Sequence, residues 1–187
     1  MSHSASDAEE WSRALDDDPS AFSRVFARHR DRVFRHSVRL VPAVADADDA
    51  VAVVFFEAWR HRQTIRFIDG SMLPWLLITA TNVARNLRRS ASRYRQLLDG
   101  LPVGSHLTDE GVVDEEATAA LRSLSLSDQR VITLCVLEDY SEADAASVLG
   151  VPRGTVKSRL SRAKRRLADG VHQSRHTHQV PVSELSQ

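Results

Sequence analysis

Seven Lys or Arg residues and no Asp or Glu lie between Arg153 and Arg166, in a chain of 187 residues that otherwise balances 25 basic against 25 acidic side chains. A segment of that composition offers cationic groups that neutralise phosphate and hydroxyls that can bond to base edges. Thr155, Ser158, Arg159 and Arg162 are the candidates for base edges or phosphates, and Arg153, Lys157, Lys164, Arg165 and Arg166 for the nucleic-acid backbone. A second basic run places five Arg between Arg85 and Arg95, Arg88 among them. It continues a segment in which Trp75, Ile78, Asn82, Arg85 and Arg89 recur at i, i+3, i+7, i+10 and i+14. On a helix, one face would then combine an aromatic ring, an amide and guanidiniums, a surface suited to unstacked bases. Adjacent carboxylates, Asp48 and Asp49, form a third candidate, but no His or Cys stands at ligand spacing beside them. Capping and docking suit them better than catalysis or metal binding. His172, His176 and His178 have no acidic or thiol neighbours to complete a metal site, and Cys135, inside VITLCVL, reads as a small buried hydrophobe. With no phosphate-binding loop, nucleophile elbow or zinc-enzyme motif, the expectation is no cofactor, no metal and no catalytic residue.

The elements that position these groups are helices. Val156, Leu160, Ala163 and Leu167 recur at i, i+4, i+7 and i+11, which puts an apolar stripe opposite the basic face. Just upstream, Ser141 and Asp144 have capping-box spacing, Ala146 is small, and Gly150 permits a turn before a second helix begins near Pro152. That order is a helix-turn-helix. Farther back, Phe22, Val25, Phe26, Val33 and Leu40 fit the buried face of one helix, with Arg24, Arg28, Arg32, Arg35 and Arg39 on its other side. The next opens at DADD, with Asp46 as its cap, and runs through VAVVFFEAWR. After the loop Phe67 to Leu73, Pro74 suits the first position of another helix, buried through Leu76, Leu77, Ala80, Val83, Ala84 and Leu87. A further helix is expected from Ser127 to Glu138.

The fold class is therefore all-α, as two small helical domains joined by a flexible acidic linker. Residues 1–19 read as a polar N-terminal segment, 20–96 as the first domain, 97–116 as the linker, 117–170 as the helix-turn-helix domain and 171–187 as a polar tail. The linker has six acidic residues and no Lys or Arg, so its charge resembles that of nucleic acid. An acidic start unlike a signal peptide, and no apolar run of membrane-span length, point to a cytoplasmic protein without membrane insertion.

SEADAASVLGVPRGTVKSRLSRAKRRL, preceded by LSLSDQRVITL, resembles region 4 of bacterial sigma factors of the extracytoplasmic-function group. The resemblance covers residues 20–168. It implies that the helix-turn-helix recognises the minus-35 promoter element. DADDAVAVVFFEAWR resembles region 2.2, which docks on the coiled coil of the polymerase β′ subunit; Asp48, Asp49, Val51, Ala52, Phe55 and Trp59 are the matching positions. The family commonly carries Gln where Ala52 stands and a large aliphatic residue where Ala145 stands. LPWLLITATNVARNLRRSASRYR resembles regions 2.3 and 2.4, which melt and read the minus-10 element. There Asn82 and the loop Phe67, Ile68, Asp69, Gly70 and Ser71 are expected to form a pocket for a flipped base, joined by Trp75, Arg85, Arg88 and Arg89. The implied partners are core RNA polymerase, through its β′ coiled coil and β flap, promoter DNA as duplex and as melted non-template strand, and an anti-sigma factor. The rival readings are a conventional helix-turn-helix regulator binding duplex DNA on its own and a helical interaction adaptor.

Overall fold

The computed structural model describes residues 5–97 and 115–178, so most of the acidic linker and the last residues of the tail lie outside the described part. Among the described residues there are eight α-helices, one π-helical turn and, in place of any strand, an isolated bridge between Ile68 and Ser71.

Within residues 1–19, expected only as a polar N-terminal segment, lies helix α1, Asp7–Leu15. It starts in a capping box: the Ser6 hydroxyl accepts from the Glu9 amide at 3.3 Å, and the Glu9 carboxylate accepts from the Ser6 amide at 2.7 Å. Trp11 and Ala14 are buried on its inner face. Helix α2, Pro19–Val38, is capped by Asp18 and has Pro19 at its first position. Its Val25 and Val33 are wholly buried, and Phe22 and Phe26 pack at 6.4 and 4.7 Å from the ring of Phe55. Helix α3 spans Asp46–Arg60. Asp46 is not its cap, because the helix already begins at that residue; the cap position falls on Ala45, and the Asp46 carboxylate instead accepts from the Ala43 amide at 3.1 Å. Helix α4, Leu73–Leu97, has Pro74 in its first turn and buries Leu76, Leu77, Ala80, Val83 and Ala84. Full burial of each Leu is worth ~1.5–3 kcal/mol.

In the C-terminal half, α5 spans Glu115–Ser123 and α6 spans Leu126–Ile132. The helix expected to continue to Glu138 instead widens into a π-helical turn over Thr133–Leu137, and the Tyr140 amide closes back on the Leu134 carbonyl at 2.9 Å. Asp139, with φ 55°, makes the reversal. Helix α7 is Glu142–Leu149, and α8 runs from Arg153 to His178, past the point where a polar tail was expected to begin. Gly170 is where α8 crosses α5: a Cβ there would lie 3.0 Å from that of Ala120. Val131, Leu134, Ala145 and Val156 form one apolar cluster, with Ala145 wholly buried. The larger cluster is centred on α2, α3 and α4 but takes in Leu121, Leu124, Ile132 and Ala163, and Leu160 touches both. Apolar contact therefore runs continuously from one half of the chain to the other.

Candidate nucleic-acid interfaces

Helix α8 separates its faces as its sequence requires. Val156 and Ala163 are fully buried, while Leu160 and Leu167 are partly buried against the core. Arg153, Lys157, Ser158, Arg162, Lys164 and Arg165 are exposed, and Thr155 and Arg159 are half-buried. Local bonds order the exposed face: the Ser158 hydroxyl donates to the Thr155 carbonyl at 3.1 Å, and Arg162 Nε donates to the Ser158 carbonyl at 3.2 Å. Arg166 departs from its expected role at the nucleic-acid backbone. Its Nη1 lies 2.6 Å from the buried carboxylate of Asp128, so it fastens α8 to α6.

The turn before α8 has the predicted construction. Ser141 and Asp144 satisfy each other's backbone amides, and Gly150 ends α7 with φ 65°, the left-handed conformation that favours glycine. The Arg66 guanidinium, which donates to the Ser147 carbonyl, lies over this turn, and a Cβ on Gly150 would approach it to 3.2 Å.

The second surface is the loop before α4 and the outer face of that helix. Ile68 and Ser71 exchange backbone hydrogen bonds of 2.9 Å each, around Asp69 (φ 49°) and Gly70 (φ 76°). Positive φ at both central positions is the pattern of a type I′ turn. Asp69 is exposed at its tip, whereas Ile68 is buried, which corrects its expected place in a base pocket: its side chain belongs to the core. Phe67 and Trp75 are half-buried and packed on the core as well, so Trp75 lends only part of its surface to solvent.

Farther along α4, Ile78 packs against the cluster of Val131, Leu134, Ala145 and Val156. Asn82 Oδ1 accepts from Arg130 Nε at 2.9 Å and Nη2 at 2.6 Å. Arg85 and Arg88 are half-buried and Arg89 is exposed. Burial, and then the charges of Arg122 and Arg85, lower the pKa of Arg88; burial, and then Arg159 and Arg85, lower that of Arg130. Arg85, Arg130 and Arg159 thus gather three like charges from α4, α6 and α8. Besides Arg66 on Ser147, further polar ties among the described residues link the halves: Arg32 donates to the Glu138 carboxylate at 3.1 and 2.5 Å, and Arg122 to the Arg39 carbonyl at 2.8 Å.

A third surface lies on α3. Asp48 and Asp49 are exposed near its N-terminus, Asp48 being 3.3 Å from Arg30. Val51 and Phe55, expected at a docking surface, are buried, since their face of α3 packs on α2 and α4. The exposed apolar positions are Ala52, Val53, Phe56 and Trp59, with Phe56 64% exposed. Val53 and Phe56 were missed by sequence reasoning, although Val53, Phe56 and Trp59 are spaced three apart. Trp59 is held from behind by Phe22 and Trp11, at ring distances of 5.7 and 6.3 Å, and carries the Arg62 guanidinium 5.4 Å from its centroid.

Two family models match the segments that carry these surfaces: sigma-70 region 2 over residues 25–94, and sigma-70 region 4 over residues 114–167. SigM of Mycobacterium tuberculosis, an ECF RNA polymerase sigma factor, is 34% identical over 171 residues, covering 89% of this chain and 85% of the relative. The chain belongs to the ECF RNA polymerase sigma factors. SigL of the same species is 31% identical over 152 residues, covering 76% of this sigma factor and 84% of its relative. The sigma factor RpoE, solved with the anti-sigma factor NepR from Bartonella quintana, superposes with a TM-score of 0.56 at 28% identity, covering 81% of this chain and 96% of that one. This sigma factor is therefore a transcription-initiation protein with region 2 in α2–α4 and region 4 in α5–α8. Among the described residues no helix is long and apolar enough to cross a membrane, and no group of His, Cys, Asp and Glu is arranged to hold a metal ion.

Proposed function

We propose that this sigma factor reads the two promoter elements with two separate surfaces. Helix α8 enters the major groove at the minus-35 element, where Thr155, Ser158, Arg159 and Arg162 meet bases or phosphates, while Arg153, Lys157, Lys164 and Arg165 hold the backbone. The turn Asp69–Gly70–Ser71 with Asn82 takes a flipped minus-10 base, and Trp75, Arg85, Arg88 and Arg89 accompany the melted non-template strand. The exposed patch Ala52, Val53, Phe56 and Trp59, with Asp48 and Asp49 at its acidic end, docks on the β′ coiled coil of core RNA polymerase. Region 4 meets the β flap, and the acidic linker threads a basic channel of the enzyme.

Binding supplies the melting energy, so the protein acts without catalysing a reaction and works in the cytoplasm. The solved pairing of RpoE with an anti-sigma protein supports such a regulator as a further partner. The observation that carries the reading is the construction of α8, whose apolar stripe is spent on the core while its cationic face is left outward. Because Asn82 is already engaged by Arg130, reading a minus-10 base exchanges that bond for one to DNA.

Transcription with purified core polymerase and a promoter library tests this. The expected result is specific initiation that depends on both elements. Tight duplex binding without polymerase, and no initiation with it, would instead identify a conventional helix-turn-helix regulator.

A further inference from the structure

The carboxylate of Asp7 is almost fully buried, its side chain only 2% exposed, and it sits beneath the proposed minus-10 turn. Its Oδ2 accepts from Ser71 Oγ at 3.0 Å, from the Met72 amide at 2.9 Å and from His29 Nε2 at 2.6 Å, and its Oδ1 accepts from Arg28. Burial works against the charge of Asp7, but the bonds from His29, Met72 and Arg28 outweigh it and hold the carboxyl well below the usual range. The contact continues on both sides. The Ala8 amide donates to the Gly70 carbonyl at 3.1 Å, and a Cβ on Gly70 would lie 3.1 Å from that of Ser6. Ser71 Oγ, while donating to Asp7, accepts from the amide of Leu73, where α4 begins.

We propose that α1 is part of the minus-10 reader and that Asp7 is a positioning residue: it fixes the Asp69–Gly70–Ser71 turn in the shape that selects a base. The proposal rests on the assignment of that turn to the minus-10 element. Two features separate it from simple anchoring of α1. First, α1 has other fastenings: Glu10 accepts from Arg24 at 2.8 and 3.0 Å, Trp11 Nε1 donates to the Arg62 carbonyl at 3.1 Å, and the Trp11 ring lies 5.9 Å from Phe22. None of these touches the turn. Second, α1 meets the turn at three successive residues: the Gly70 carbonyl accepts from Ala8, and the Ser71 hydroxyl and the Met72 amide both donate to Asp7. A base pocket discriminates only when its donors and acceptors are held in place, and Asp7 supplies that hold from a segment distant in sequence.

The test uses the full chain with core polymerase on a library randomised in both promoter elements. Asp7→Ala should reduce minus-10 discrimination about ten-fold, the scale of one lost hydrogen bond to a charged group. The minus-35 profile should stay unchanged, and amide exchange at Ser71 and Met72 should accelerate. Glu10→Ala, which loosens α1 without touching the turn, should keep the wild-type minus-10 profile. An unchanged profile in Asp7→Ala, or equal flattening in both variants, overturns the proposal. If Asp7→Ala does not fold, Asp7→Asn preserves the side-chain volume, and its loss should shrink in a Ser71→Ala background because the Ser71–Asp7 bond carries part of the hold; fully additive losses overturn the proposal. Exchange of residues 67–73 for a relative's loop is run beside these. If it shifts the minus-10 profile while Asp7→Ala does not, only the role of Asp7 fails; if it shifts nothing, the assignment of the turn itself fails, and the role of Asp7 with it.

Discussion

The basic face of α8 and the polar face of α4 carry similar side chains, yet the first ends in solvent and the middle of the second, at Ile78 and Asn82, ends on protein. Lys157, Arg162, Lys164 and Arg165 are exposed, whereas Ile78 is packed on the C-terminal cluster and Asn82 is bonded twice to Arg130. The difference is one of readiness. On the proposed reading, a duplex meets α8 with little rearrangement, whereas a melted strand reaches Asn82 only by displacing Arg130, which would tie melting to a change in how the two halves contact each other.

The largest expected effect probes whether those halves are energetically one body. Leu76→Ala on the α4 side and Leu134→Ala on the α6 side should each cost about 2–5 kcal/mol. Because apolar contact runs through Leu160, Ile132 and Ala163, each variant should lower a single thermal transition followed by circular dichroism. Two separated transitions would mean that the closed face of α4 contributes little. Next in size are the outward cations. Arg159→Ala or Arg162→Ala should weaken minus-35 recognition by ~1–3 kcal/mol and relax base preference there. Lys164→Ala and Arg165→Ala should lower affinity and the salt slope with little change in preference, as binding across a salt series would show.

A further prediction probes the N-terminal half by acid. His36, wholly buried on α2, donates from Nε2 to Thr81 Oγ1, since the Thr81 hydroxyl is itself spent on the Leu77 carbonyl. Its Nδ1 has no partner among the described residues. Burial, then the charges of Arg39 and Arg32, push its pKa down from 6.5 to about 3. The unfolded chain therefore takes up a proton below pH 6.5 that the native state refuses, so stability should be flat above that pH and fall below it. The slope approaches ~1.4 kcal/mol per pH unit for one such group. The stability contributed by the depressed carboxyls of Glu10, bonded to Arg24, and of Asp7 is present above their ordinary values of 4.5 and 3.8 and is lost at lower pH, so the window between 4.5 and 6.5 belongs to His36. Denaturant midpoints measured across it should lose their pH dependence in His36→Gln; a slope equal to wild type would assign the acid sensitivity elsewhere.

What could be read from the sequence was local. The stripe of α8, the capping box at Ser141 and the turn at Gly150 are set by residues within a few positions of one another, and the structure has them where spacing put them. The same local logic was available for α1, where Ser6 and Glu9 form a capping box and Trp11, Ala14 and Leu15 share a face, but the surrounding acids obscured it. Helix α3 failed for a different reason. VAVVFFEAW is apolar almost all round, so periodicity cannot choose the buried side; packing on α2 and α4 buries Val51 and Phe55 and leaves Val53 and Phe56 outside. Arg166 with Asp128 and Arg130 with Asn82 are pairs 38 and 48 residues apart, and no spacing rule reaches that far.

On the proposed reading, two separate surfaces, one on each half, set the base preference at two separate elements. Promoter-library transcription with core polymerase tests this most directly, comparing wild type with the exchange of residues 67–73 and with Arg162→Ala. The exchange should change the preferred minus-10 base and leave the minus-35 profile as it was; Arg162→Ala should do the reverse. An unchanged minus-10 profile after the exchange, or both profiles shifting together in either variant, would contradict the account.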